Sequence, residues 1–214
     1  MTLPFTAEQF FALFAQYNEA VWPSQIGLVS LALLGVALVF VEREWSGVAI
    51  ALVLAMLWAW LGAAYHLAFF IRINPLAWAF GALSIAGAAV FLWQGVIAHR
   101  LRFAWRSDWR GLCGAALLAF ALVAYPLWSH AAGHRYPFMP TFGLPCPTTI
   151  FTIGILAFLV PPYPRAVLAV PMLWSVVGAQ AALLLGVTQD LGLVVAALLG
   201  VALLWKAPSE SLKI

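Results

Sequence analysis

A few side chains in this sequence stand where they could do chemistry inside an apolar setting. His66 lies near the end of a long apolar run, one helical turn after Gly62. An ionisable residue there is by default a candidate for ligand binding, proton transfer or metal ligation. Its plain alternative is a neutral histidine bonded across a helix contact opened by Gly62 and Ala63. His130 and His134 stand four apart, a spacing that metals use on a helix, but Gly133 and Pro137 interrupt helix there, so His134 is the candidate of the two. Cys146 comes just before Thr148, read as the N-cap of a short helix. A helix N-terminus favours anions and thiolates, which makes Cys146 a soft-metal ligand, a nucleophile or merely a small buried thiol. The amides of Thr148 to Ile150 are an alternative anion or carboxylate site. Asp190 opens an apolar run and either binds a ligand or caps a helix. His66, His134 and Asp190 together would make a three-ligand divalent-metal set, with Glu19 as general base for a water. Asn18 and Trp22 would form the facing wall, with Asn74 at the same end. No nucleotide loop, HExxH, CxxC or Ser-His-Asp order occurs.

The elements that would carry these groups are membrane helices. Of 214 residues 65% are hydrophobic and 8% charged, with mean hydropathy +1.03, where a soluble domain has about a quarter charged. The net charge of +3 rests on few charges and says nothing of nucleic acid, which is not an expected partner. Met1 to Gln25 holds no Lys or Arg, so a cleaved signal peptide is not expected. Two cysteines make no disulfide framework.

In chain order, Thr6-Ala7-Glu8-Gln9 has capping-box spacing, and Phe10, Phe11, Phe14 and Tyr17 recur at helical spacing. Residues 7–20 therefore read as an interfacial amphipathic helix ended by Trp22-Pro23. Spans are expected at 24–41, 45–70, 76–98 and 112–128, the fourth bent at Tyr125-Pro126. Further helices follow at 148–160, 165–186 and 190–205. Between spans three and four, Arg100, Arg102, Arg106 and Arg110 interleave with Phe103, Trp105 and Trp109, as membrane boundaries do.

The segment 130–147 is the longest break, with Pro137, Pro140, Pro145 and Pro147. It reads as an outer loop that dips into the membrane. The fifth helix, Thr148 to Val160, would be only ~20 Å long against a ~30 Å hydrocarbon core. Irregular backbone at that depth is tolerated where it is buried in protein or lines a cavity.

Seven spans place the termini on opposite sides. With the C-terminus inside, Arg43, Arg100, Arg102, Arg106, Arg110, Arg165, Lys206 and Lys213 are inner and only Arg72 and Arg135 outer, which predicts N-out, C-in. An internal repeat is also legible. Met56-Leu57-Trp58 with Gly62-Ala63 returns 116 residues later as Met172-Leu173-Trp174 with Gly178-Ala179, and the same offset carries Asn74 to Asp190. The expected fold is thus all-α and polytopic, one membrane domain with a 3+1+3 parallel repeat. Residues 24–98 form the first repeat, 112–129 a linker helix and 148–206 the second repeat.

The blocks YNEAVWP (17–23), YHLAFF (65–70), INP (73–75), GHRYP (133–137), PTFGLPCPTTIFT (140–152) and QD (189–190) carry a resemblance. With them the chain resembles an uncharacterised bacterial seven-span integral-membrane family, a domain of unknown function with no settled activity. The resemblance implies the spans and adds little about function. Three readings follow. The first is an inner-membrane transporter or channel-like protein for a small solute or ion, its polar site facing outward between the repeats and its N-terminus periplasmic. The second is a metal-dependent hydrolase at His66, His134 and Asp190. The third is a non-catalytic sensor or assembly protein. The lipid bilayer is the expected partner in each, with a second copy of the chain as a further one.

Overall fold

Each long apolar run must satisfy its own backbone donors and acceptors, which only helix does within a single segment. A computed structural model describes residues 3–206; among them the chain forms eight helices and no strand, with two isolated bridges. We number them α1 (Ala7–Val21), α2 (Ser24–Val39), α3 (Glu44–Arg72), α4 (Ala77–Ile97), α5 (Trp109–Ala131), α6 (Pro145–Leu156), α7 (Ala166–Leu184) and α8 (Thr188–Trp205). Five of them, α3, α4, α5, α7 and α8, are long and apolar enough to cross a membrane, and six spans result if the bent pair α1–α2 is one. Large apolar side chains such as Trp78, Leu112, Leu127, Val176 and Leu198 face outward, as a membrane protein requires. Lys213 lies outside the described residues.

The N-terminal helix starts as its sequence predicts. The Thr6 hydroxyl accepts from the Gln9 amide at 3.2 Å, and the Gln9 side chain accepts from the Thr6 amide at 2.9 Å. Phe10, Leu13, Phe14 and Tyr17 are buried, and at Trp22-Pro23 the axis turns by 88° into α2.

The short helix is the centre of the molecule. It packs against α2, α5, α7 and α8, and every residue from Pro147 to Leu159 is buried. Its bounds differ from the expected 148–160. Proline is well suited to a first helical turn, whose amides have no partner in any case. Pro145 and Pro147 therefore sit inside the helix, and Leu144 rather than Thr148 holds the N-cap position. Beyond Leu156 the chain leaves helix and pairs with the basic loop. Ala104 N–H donates to Phe158 O at 3.1 Å, Val160 N–H to Arg102 O at 2.9 Å, and the buried Arg110 guanidinium to Leu159 O at 3.2 Å. The loops around Arg43, Arg102 and Arg110 thus meet at one end of the bundle.

The fourth span is longer than the expected 112–128 because Asp108 caps it, accepting from the Gly111 amide at 3.1 Å. Arg106 holds the Asp108 carboxyl well below its ordinary 3.8, at about 2. The expected bend at Pro126 appears as a wide π-helical turn over Phe120–Ala124, which absorbs the missing proline N–H. A second wide turn, Leu61–Leu67 in α3, contains His66.

Candidate intramembrane binding site

At the end of the bundle opposite the basic loops, α1 covers a cavity of about 510 Å³. Its walls are mainly aromatic and aliphatic: Phe10 and Phe14 from α1, Tyr65 and Phe70 from α3, Phe80 from α4, and Trp174, Val177 and Ala181 from α7. Cavities of this size, apolar with a few polar groups, are the usual form of small-molecule sites. Trp174 stands ten residues from the α7 end at Leu184, ~15 Å at 1.5 Å per residue, so the cavity reaches the middle of that span.

Polar groups gather along its depth. Asp190, 1% exposed, accepts from the Tyr125 phenol at 2.5 Å through Oδ1. The Cys146 thiol lies against the same carboxylate. Gly178 makes room for this arrangement: a Cβ there would lie 3.1 Å from Trp174 Nε1 and 3.3 Å from Cys146 Sγ. The Trp174 indole N–H also lies beside the Cys146 thiol. Asn74, buried, also lines the cavity, and its side chain accepts from the Leu76 amide at 3.0 Å.

His66 lies behind this wall. It is fully buried, with its ring 4.9 Å from Trp174 and further contacts to Tyr65, Phe70 and Phe80. Neither ring nitrogen has a partner. The wide turn of α3 holds it there, and such turns recur at functional sites.

The remaining expected site residues lie elsewhere. Asn18 is wholly committed to structure. Its Nδ2 donates to Pro137 O at 2.6 Å and Met139 O at 2.8 Å, and its Oδ1 accepts from Gln25 and Thr141, both at 2.7 Å. Trp22 is 59% exposed on the outside of the bundle, so Asn18 and Trp22 do not form a wall of the cavity. Glu19 is exposed. His134, past the Gly133 turn that ends α5, stacks on Phe11 at 4.1 Å. His66, His134 and Asp190 do not converge: among the described residues no group of three or more His, Cys, Asp or Glu is placed to hold a metal ion. Histidine packing decides this, since aromatic rings take up both histidines in different places.

The expected anion cradle at Thr148 to Ile150 is absent for a backbone reason. Two of the first three α6 residues are proline and lack N–H, and the Thr148 amide already donates to Leu144 O at 3.2 Å. The Thr148 hydroxyl is buried without a partner.

Tyr125, Tyr65, Trp174 and Gln180 belong to the cavity and were not anticipated. A tyrosine inside an apolar span, just ahead of a proline, is the available signal for Tyr125, because a buried phenol needs an acceptor.

Residues 7–211 match the model of a family of unknown function, DUF6064. The chain belongs to that family. The match covers all eight helices and all of the cavity lining except Leu3, Pro4 and Phe5. No curated protein and no solved structure matches the chain.

Proposed function

We propose that this DUF6064 protein is a small inner-membrane carrier that takes a small, mostly apolar solute into the cavity beneath α1. The observation that supports this most is a mid-span cavity of about 510 Å³ with aromatic walls and one buried carboxylate. A purely structural core would fill such a space with side chains. This narrows the expected solute from any small solute or ion to one with an apolar body.

The finer architecture belongs to the same proposal. It has seven crossings, counting α6 within its shell of longer helices, and N-out, C-in orientation. Spans 1–3 and 5–7 form parallel repeats about an axis along the membrane normal. In support, Trp58 and Trp174 are both buried, and Asn74 and Asp190 line one cavity. The middle helix of each proposed triple, α3 or α7, packs on both of its partners.

Alternating access is tested on Cys146 in a Cys113→Ser background. A membrane-impermeant cationic methanethiosulfonate is added to right-side-out and to inverted vesicles. A carrier exposes Cys146 to both sides, at different rates. Labelling from one side only would replace transport with a fixed binding site, the sensor reading; silence from both sides would end the ligand-site reading.

A further inference from the structure

We infer that the cavity takes an organic cation: an amine of modest size with an aryl or alkyl body. This rests on the reading of the cavity as a ligand site and names what enters it. The decisive observation is a missing partner. Asp190 is buried and lines the cavity, yet its contacts are the Tyr125 phenol and the Cys146 thiol, both neutral groups. Among the described residues lining the cavity there is no Lys, Arg or His. A buried carboxylate without a cation is costly, because neither neutral donor compensates its charge. The Tyr125 bond occupies Oδ1 and leaves the second oxygen free of that bond.

The walls suit the same ligand. Tyr65, Phe70, Phe80 and Trp174 present aromatic surface, and cations are attracted to ring faces within about 6 Å, most strongly where water is excluded. An anion would meet the carboxylate and the negative ring faces with no positive group to offset them. His66 packs against Trp174 and is not a lining residue. The volume of about 510 Å³ equals roughly 17 waters at ~30 Å³ each, which admits a ring with a short amino chain and leaves room for a larger body or for water beside it.

The test is a charge series on one skeleton: 4-phenylbutylamine, 4-phenylbutanol and 4-phenylbutyrate. Each is titrated calorimetrically into the protein in phosphatidylcholine nanodiscs and into empty nanodiscs. The amine is expected to bind about tenfold more tightly than the alcohol, a difference of ~1.4 kcal/mol, and the butyrate most weakly. Asp190→Asn, which keeps the shape and an acceptor for Tyr125, is expected to bring amine and alcohol within a few-fold by weakening the amine alone. An alcohol as tight as the amine in the wild type, or a preferred butyrate, overturns the cation assignment and leaves the cavity as a ligand site. Binding of none of the three above empty nanodiscs removes both. The wild-type order decides the matter even if Asp190→Asn does not fold.

Discussion

Gly114 of α5 and Gly154 of α6 lie against each other, so closely that a Cβ on Gly114 would sit 2.9 Å from the Gly154 carbonyl oxygen and 2.7 Å from Ala157 Cβ. Helices approach this closely in membranes because small residues let backbones touch. Gly114→Ala is therefore expected to cost ~1–3 kcal/mol through overpacking. Gly154→Ala, whose nearest contacts are at 3.1 Å, is expected to cost less. Gly27→Ala, with nothing within 4 Å, is expected to be neutral or to gain up to ~1 kcal/mol of helix propensity. Melting temperatures in one detergent rank the three, and a Gly27 variant as damaged as Gly114 would contradict the packing account.

Asn18 uses both donors and both acceptor sites of its amide on the loop 137–141 and on Gln25. Asn18→Asp turns the two donors toward Pro137 O and Met139 O into acceptors and leaves both carbonyls without a partner. An orphaned buried group costs ~1–3 kcal/mol, and these part-buried carbonyls lose at most that each. The expected result is a larger loss of folded protein on size-exclusion chromatography than for Asn18→Ala, with earlier protease cleavage in the 136–143 loop. Equal behaviour of the two variants would mean the amide donors contribute little.

The two unpartnered nitrogens of His66 predict an unusual direction of effect. Replacing a buried, unpaired polar group by an apolar one of similar size removes a desolvation cost and is neutral to stabilising. His66→Leu is thus expected to raise the melting temperature, by the equivalent of ~1 kcal/mol. A clear fall would show that the imidazole has a partner the ring contacts do not reveal.

Asp108 gives a pH dependence outside the membrane segments. Its carboxyl, held at about 2 by Arg106 against an ordinary 3.8, is depressed in the folded state. The stabilisation from its ionised form is therefore complete above the ordinary value and fades as pH falls toward about 2. The stability difference between wild type and Asp108→Asn should be constant from pH 5 to 8 and shrink below pH 4. A difference that grew on acidification would reverse the assignment.

The helices were legible because they follow from local pattern. The Thr6 capping box, the break at Trp22-Pro23, and a fifth helix too short to span all rest on residues a few positions apart. What is set by packing across the fold was not legible. Tyr125 meets Asp190 over 65 residues. His134 looked available for a metal until Phe11, 123 positions away, covered its ring. The start of α6 is not legible from Pro145 and Pro147, because proline ends a helix when it stands inside one and favours it in a first turn, where its φ fits. Cys146 and Asp190, 44 positions apart, line one cavity, whereas Asn18 serves as a staple for a loop.

The position of α6 also bears on how the molecule is assembled. Insertion reads hydrophobic segments of about 20 residues one at a time, and α6 offers 12, led by two prolines. Alone in lipid it would leave the flanking carbonyls of Pro137, Met139, Gly143, Phe158 and Leu159 and the Val160 amide without partners, a cost of several kcal/mol for each exposed group. Those partners come from α1 and residues 102–110, made earlier, while α7 and α8, made later, pack against the helix itself. The helix at the core of the molecule is thus the one that cannot enter the bilayer on its own, and its longer neighbours have to build the place it occupies.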